Sequence, residues 1–545
     1  MVWGILETQQ LEHVPGTFLL EDDALGGTSV SSALKRGTGR NAHTILVPQP
    51  SNDENEPLRW PIYQRELLLL LLLYCVILCV GAIGPLLSAS ALVLAKQFGI
   101  DFTQVTLLTG YQLVAVGAVG VFISVVSHKY GKRPGFIFSI VCAFVGTLWG
   151  GLAKSYGSLV GARVVQGLGV AVWESVIYAV VGDLYYVHER GSRIALLGFC
   201  ISAIANLPGV LSGLITDKLG WRWMFWMLLI FLGIALVLIL LFGWETAFNR
   251  ADIYNTDTTS ATDVNLINII KGDASHVENS GSEKPSAERE LITRKPFIKR
   301  LGVFGETYSP DNVFFMILRP FAILVNPAVV WATLLFSINI AWLVVMNFVS
   351  SQLFSSPPYL LNPTHIGYMN AGPIIGGTIG AIIAGMISDP IATALAKRNH
   401  GVYEPEFRLL LLIPMVICQC VGLFLFGVYT ERGASPALIC VFWGIAVMGF
   451  QFMSTCVGTY MIDGYRTISV EVFIIGMVTK NFTFFGLSYG VNDWVAAWGP
   501  KRMFYLVGGV EIALFVGSIP IWIFGKKLRA FFHTKHLSLD SRSRG

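Results

Sequence analysis

Charge is what this chain has least of. Only 13% of its 545 residues are Asp, Glu, Lys or Arg, against 54% hydrophobic residues, where a soluble domain carries roughly 25% charged residues. That deficit excludes an ordinary water-soluble fold. The opening MVWGILETQQ has no basic stretch ahead of an apolar core, so no cleaved secretion signal is expected. Cysteine is sparse, and all eight (Cys75, Cys79, Cys142, Cys200, Cys418, Cys420, Cys440 and Cys456) lie in apolar runs, where they act as small hydrophobes. A disulfide framework is not supported. Cys418 and Cys420, two apart, point about 200° apart on a helix, and only His533 and His536 have ligand-like spacing, in a basic tail that reads as a solvated face. No metal site, cofactor or catalytic residue is expected, and no nucleophile–base pair suggests an enzyme.

Long apolar runs are abundant. A span needs about 20 apolar residues, and runs of that kind cover 67–90, 103–127, 134–153, 157–181, 194–216 and 223–243, then 321–347, 366–388, 409–429, 435–461, 470–494 and 503–525. The fold class predicted is an all-α membrane protein of twelve transmembrane helices in two six-helix bundles. A tail (1–66) precedes the first bundle (67–243). A polar stretch (244–320), including Asp257 to Thr262 and Ser280 to Arg289, reads as a solvated linker. The second bundle (321–525) is followed by a short tail (526–545). Short loops on the tail side carry nine Lys and Arg against seven on the other, which places both termini in the cytosol by the positive-inside rule. The net charge of +4 then reflects membrane flanks and needs no nucleic-acid partner.

Two charges stand inside the fourth run. Arg163 and Glu174 are each costly in a bilayer unless paired or hydrated. Eleven residues at about 100° each return to within about 20° of the start, so Arg163, Gly167, Val170 and Glu174 share one stripe of a helix. That stripe is expected to line a polar cavity, with Glu174 as a proton or cationic-substrate site. A packing ion pair with another span, through Lys480, is the competing reading. Further intramembrane polar groups are Gln112, Asn206, Asn339, Asn347, Gln451, Lys480, Asn481 and Glu511, each equally able to bond a neighbouring helix. Lys480 and Asn481 stand out because a buried cation needs compensation. Trp173, Tyr178 and Trp342 are candidates for stacking an organic cation, with plain packing as the alternative.

The loop after the second run reads Ser124-Val-Val-Ser-His128-Lys129-Tyr-Gly131-Lys132-Arg133-Pro134. It resembles the G-x-x-x-D-(R/K)-x-G-(R/K)-(R/K) loop of the major facilitator superfamily through Lys129, Gly131, Lys132 and Arg133, departing at Ser124 and His128. The resemblance implies a gating latch between the two halves on the cytosolic side, which a histidine would weaken or make pH-sensitive; fixing topology is the plainer role. Gly385-Met-Ile-Ser-Asp389 resembles a second copy, giving Asp389 a gating role or that of a helix cap. Arg163-Val-Val-Gln166-Gly167-Leu-Gly169 is similar to the family's R-x-x-Q-G-x-G pattern in the fourth span, which implies a link to proton transfer. In the fifth span, Asn206-Leu-Pro208-Gly209-Val-Leu-Ser212-Gly213 resembles the G-P-x-x-(G/S)-G segment of exporters with Gly and Pro reversed. Pro208 and Gly209 are expected to bend that helix.

Further strings resemble a fungal subgroup of the twelve-span drug:proton antiporter branch, one that includes polyamine and organic-cation carriers. They are Leu11 to Thr17, His188 to Gly191, Leu219 to Trp223, Tyr403 to Arg408, Asp463 to Arg466 and Ser488 to Val491. The resemblance implies a monomeric multi-pass carrier, placed at the plasma membrane, that moves a small organic substrate against protons by alternating access. Export of a drug, toxin or metabolite and uptake of polyamines or other cations both fit it. A membrane enzyme or a channel fits less well. In this family the twelfth span lies outside the cavity, which leaves Glu511 without a role.

Overall fold

Hydrocarbon offers no partners for backbone N–H and C=O groups, so a chain that crosses it repeatedly folds as helices that satisfy themselves. In the computed structural model the apolar runs are such helices. The structure describes residues 4–6, 14, 17–19, 50, 53–186, 189, 193, 196–200, 206–248, 296, 300–303, 307–308, 312–399, 402–465 and 468–534.

The first half contains α1 (Ile62–Val76), continued by a π-helical turn (Ile77–Ala82), then α2 (Ala91–Phe98), α3 (Phe102–Tyr130), α4 (Arg133–Leu152), α5 (Tyr156–Leu184), α6 (Leu207–Leu219) and α7 (Arg222–Phe242). Next comes α8 (Val313–Ala322). The second half contains α9 (Pro327–Ser355), α10 (Pro363–Tyr368), α11 (Ala371–Arg398), α12 (Leu412–Glu431), α13 (Pro436–Gly464), α14 (Ser469–Ser488), α15 (Val491–Val516) and α16 (Ser518–Thr534). Among the described residues, ten helices are long and apolar enough to cross a membrane. Two expected spans fall outside that set for different reasons. The fifth is described as continuous α-helix only from Leu207, and the eleventh, α14, carries Glu471, Lys480 and Asn481.

Several boundaries differ from those expected. Helix α11 continues to Arg398, so Asp389, expected in a loop, sits inside a helix and is followed there by Pro390. Helix α15 is broken at Gly499, φ 77°, just before Pro500, and that break separates the eleventh span from the twelfth. The region expected to be wholly solvated holds α8, whose sequence VFFMILRPFA exposes Phe314, Phe315, Leu318 and Phe321. Its apolar periodicity is short enough to vanish in the average composition of a long polar stretch.

Packing follows the two halves. In the first, α5 packs on α3 and α4, and α7 on α4; in the second, α13 packs on α11 and α12, and α15 on α12. Helix α7 turns Ile230, Phe231, Ile234 and Val237 outward, the apolar exterior that a lipid solvent requires. The halves meet along two seams, α3 against α14 and α6 against α10. A small sheet joins the beginning of the chain to the second half: β1 (Phe18–Leu19) runs antiparallel to β2 (Val402–Tyr403), pairing Phe18 with Tyr403 and Leu19 with Val402. Ahead of it, the Leu6 amide donates to the Ile523 carbonyl at 3.0 Å, and Ile5 is buried with Ala392, Leu395 and Phe407.

Candidate functional site

Arg163 is fully buried and answered by neutral oxygens. Its Nη1 donates to the Ile83 carbonyl at 2.8 Å and to Gln166 Oε1 at 3.0 Å, and its Nη2 to the Gly84 carbonyl at 3.2 Å and Thr109 Oγ1 at 3.0 Å. Those carbonyls are available because the chain leaves regular helix after the π-helical turn and runs through turns from Ile83 to Ser90, so no helical N–H follows to occupy them. Gln166 Nε2 passes the chain on to Thr147 Oγ1 at 2.9 Å. Arg163 and Gln166 therefore tie α1, α3 and α4 to α5 within one bundle.

Glu174 faces a different neighbour. Its Oε1 accepts from Lys480 Nζ at 2.8 Å and its Oε2 from Asn481 Nδ2 at 3.3 Å, so the pair crosses from α5 of the first bundle to α14 of the second. The side chains keep only 7% and 14% exposure. Counting along α5 at 1.5 Å per residue, Glu174 lies about 15 Å from the tail-side end of its helix.

The shared stripe of Arg163 and Glu174 does not line one continuous cavity. Between them a Cβ on Gly167 would meet the Gln112 carbonyl at 2.3 Å, and one on Gly169 the Ala143 amide at 2.4 Å. The two motif glycines let α5 seat on α3 and α4 at backbone distance. One turn toward the tail side from Glu174, Tyr178 stacks on Phe473 across the seam, centroids 5.8 Å apart at 8°. Trp173 stacks on Phe136 at 5.0 Å inside the first bundle, and Trp342 meets Trp494 at 6.5 Å.

Glycine sets the rest of the α3–α14 seam. A Cβ on Gly117 would lie 3.2 Å from the Asn481 Cβ, and one on Gly120 2.1 Å from the Met477 methyl. On the other seam a Cβ on Gly213 would meet the Pro363 carbonyl at 2.3 Å, while Gly209 faces Asn370. Pro208 sits in the first turn of α6; the bend expected there would involve residues 201–205, which lie outside the described residues. Away from the tails, Thr103 Oγ1 donates to Asp493 at 3.2 Å, Asn492 Nδ2 to Thr106 at 2.6 Å and Thr364 Oγ1 to Asp217 at 2.8 Å, so polar contacts fasten both seams at that end.

At Lys132 and Arg133 the loop expected to latch the halves bonds the ends of α5 and α7 and the stretch that follows α7. Gly131, at φ 96°, turns the chain so that the Lys132 and Arg133 amides donate to the Glu245 carboxylate at 2.9 and 3.0 Å. The Lys132 ammonium pairs with Asp183, and the Arg133 guanidinium donates to the Gly243 carbonyl at 2.6 Å and the Leu240 carbonyl at 2.8 Å. The ends of the fourth and sixth spans are thus clasped to the start of the third. Lys129 lies 6.0 Å from the Tyr130 ring centre, and its carbonyl accepts from the Tyr308 amide at 2.8 Å; His128 sits one residue before it near the end of α3.

The second bundle repeats the plan with the charges rearranged. Arg408 Nη1 donates to Asp389 at 2.6 Å and to Ser388 Oγ at 2.8 Å, and Arg408 Nε lies 3.4 Å from Asp463. The Tyr403 hydroxyl donates to Asp463 at 2.5 Å; burial first, then the Asp463 carboxylate, pushes that hydroxyl well above its ordinary value, so it remains a donor. Arg529 Nη2 reaches Glu404 at 2.9 Å and Glu406 at 2.7 Å, with Lys526 on Glu404 at 2.5 Å. Asp183, Glu245 and Arg529 had no sequence signal beyond lying at helix ends. Tyr403, Glu404, Glu406, Arg408 and Asp463 belong to strings whose convergence only the fold reveals.

Two bundles meeting at glycine seams, with a buried ion pair between them, define a solute carrier of the membrane. The chain belongs to the Major Facilitator Superfamily, which matches it over residues 69–490. It is 27% identical to an uncharacterized MFS-type transporter of Schizosaccharomyces pombe across 95% of this chain and 93% of that one. It is 26% identical to the Multidrug transporter AQR1 of Candida glabrata over 68% of this chain and 61% of the other. The fold is that of the proton:xylose symporter XylE, at a TM-score of 0.56 and 13% identity, covering 87% of this chain and 100% of that chain. These are transporters rather than enzymes.

Proposed function

We propose that the chain is a proton-coupled secondary carrier of the drug:proton antiporter branch, exporting a small organic compound by alternating access. The observation that carries this reading is the Glu174–Lys480 pair across the seam. The bundles cannot part there without breaking it, and stripping one partner from a buried pair costs about 3–5 kcal/mol. A proton on Glu174 removes the charge that holds Lys480. An organic cation on the same carboxylate displaces Lys480 as well, so the two ligands exclude each other. Mutual exclusion at one site is the logic of exchange.

Export is supported by the name of the multidrug relative and by the small-residue surface of the fifth span. The carboxylate at the seam favours a second reading, uptake of polyamines or other organic cations. Arg163 and Gln166 act by fixing α5 so that Glu174 is presented to α14. The clusters around Lys132, Arg133 and Asp389 hold the helix ends of each bundle together, so that each rocks as a unit. The carrier works at the plasma membrane with both termini cytosolic.

The test uses a transporter-depleted yeast, comparing retention of fluorescent or toxic organic compounds with uptake of labelled spermidine, each with and without a protonophore. Flux that ignores the protonophore removes the coupling. Glu174→Gln is expected to lower proton-dependent flux at least tenfold with normal surface abundance; a variant with unchanged pH dependence overturns the role of Glu174.

A further inference from the structure

Glu511, on α15 in the second bundle, is 1% exposed and plays no part in the pair described above. Its Oε2 accepts from Asn339 Nδ2 at 2.9 Å, and that same nitrogen also donates to the Leu335 carbonyl at 2.9 Å. Gln419 Nε2 donates to Asn339 Oδ1. Three polar atoms beside this network have no protein partner: Glu511 Oε1, Gln419 Oε1 and Trp342 Nε1. Asn339, Trp342, Gln419 and Glu511 line one cavity of about 20 Å³, where about 10–15 Å³ admits one water molecule.

The electrostatics decide what occupies it. Among the described residues no salt bridge reaches Glu511. Helix α9 carries no Asp, Glu, Lys, Arg or His, and the charged residues of α12, α13 and α15, namely Glu431, Asp463, Asp493, Lys501 and Arg502, lie near helix ends or the Gly499 break. Cys420 of α12 is a titratable side chain near Glu511, and a thiol supplies no positive charge. An ionised carboxylate held by one N–H of a neutral amide is uncompensated in such a place, whereas a buried carboxyl group without a counter-ion takes up a proton.

We propose that Glu511, Asn339, Gln419 and Trp342 form a proton-binding site with one bound water, separate from the Glu174–Lys480 pair. The acid proton and the water's hydrogens serve the orphan oxygens of Glu511 and Gln419, and the water accepts from Trp342. Three helices besides α15 frame the site, so release of the proton requires α9, α12 or α13 to move and let solvent or a cation reach Glu511. The assignment holds whether or not transport is proton-coupled, because it concerns occupancy of this side chain alone.

Infrared difference spectroscopy on the full chain in lipid nanodiscs tests it without any substrate. At neutral pH the wild type is expected to show the C=O band of a protonated buried carboxyl group, lost in Glu511→Gln and kept in Glu174→Gln. A wild type without that band at neutral pH, or a Glu511→Gln variant that retains it, overturns the proposal. Should Glu511→Gln fail to fold, Glu511→Asp supplies the second arm: the band is expected to shift, and an unshifted band refutes the assignment. The Glu174→Gln flux measurement fails or succeeds independently of both.

Discussion

At the scale of single residues, the cost of a charge in a membrane is met in three ways. Arg163 is spread over four neutral acceptors, Glu174 is paired with a cation, and Glu511, with a single amide donor, avoids the charge by the proton proposed above. The first depends on shape. A guanidinium addresses several acceptors at once, which an ammonium, a point charge on a flexible stem, does not reproduce. Arg163→Lys is therefore expected to lower stability by about 1–3 kcal/mol through acceptors left without partners. Thermal unfolding in detergent, with flux measured in parallel, checks it, and a Lys variant as stable as the wild type would show that the acceptors do not need the fork. Arg163 itself was legible from its motif, but its principal partners are backbone carbonyls of Ile83 and Gly84, which no side-chain pattern announces. Their one trace in the sequence is Gly84-Pro85.

At the scale of elements, glycine determines which helices can approach. Gly213 admits its partner helix to backbone distance on one seam and Gly117 seats α3 against the Asn481 and Phe482 side chains on the other, while Gly486, on α14, has nothing within 4 Å of where its Cβ would stand. Gly117→Leu is expected to abolish flux while leaving a folded, monodisperse protein, since each bundle keeps its own core; Gly486→Leu serves as the matched control with flux near wild type. Size-exclusion chromatography and transport together read the outcome, and an active Gly117→Leu variant would mean the seam is not closed as described. The apolar runs made the helices legible, because length and hydropathy alone impose them. The seams were less so. A single glycine reads the same facing open space, as at Gly486, as against a partner helix, as at Gly117, and periodicity cannot tell the two apart. The pairing of Glu174 with Lys480 was among the readings the sequence offered, since two isolated intramembrane charges of opposite sign invite one. The contacts of Lys132 and Arg133 within their own bundle were not, because their acceptors Asp183 and Glu245 look like ordinary loop residues.

At the scale of the whole molecule, the two halves share a plan with different chemistry. In each, the end of one helix is clasped by the loop leading into another: Glu245 receives amides in the first half, and Glu404 with Glu406 receives Arg529 in the second. The chain also crosses between halves at its beginning. Thr17 Oγ1 donates to Glu404 at 2.8 Å, next to the strand pair of Phe18–Leu19 with Val402–Tyr403. Removing residues 1–19 is expected to leave the helices inserted but to uncover the end of α11, where Lys397 and Arg398 offer tryptic sites. Limited proteolysis should cut there several-fold faster in the shortened chain; an unchanged rate would mean that the tail shields nothing.

That docked tail carries a consequence for how the molecule is made. Thr17 leaves the ribosome 387 residues ahead of its acceptor Glu404, an interval of roughly 20–80 s at about 5–20 residues per second. Throughout that time the segment around Thr17 waits undocked while the helices that will receive it are still being threaded. The Ile523 carbonyl arrives later still. Leu6 and Thr17 thus dock late, after the span that carries Ile523 is in place.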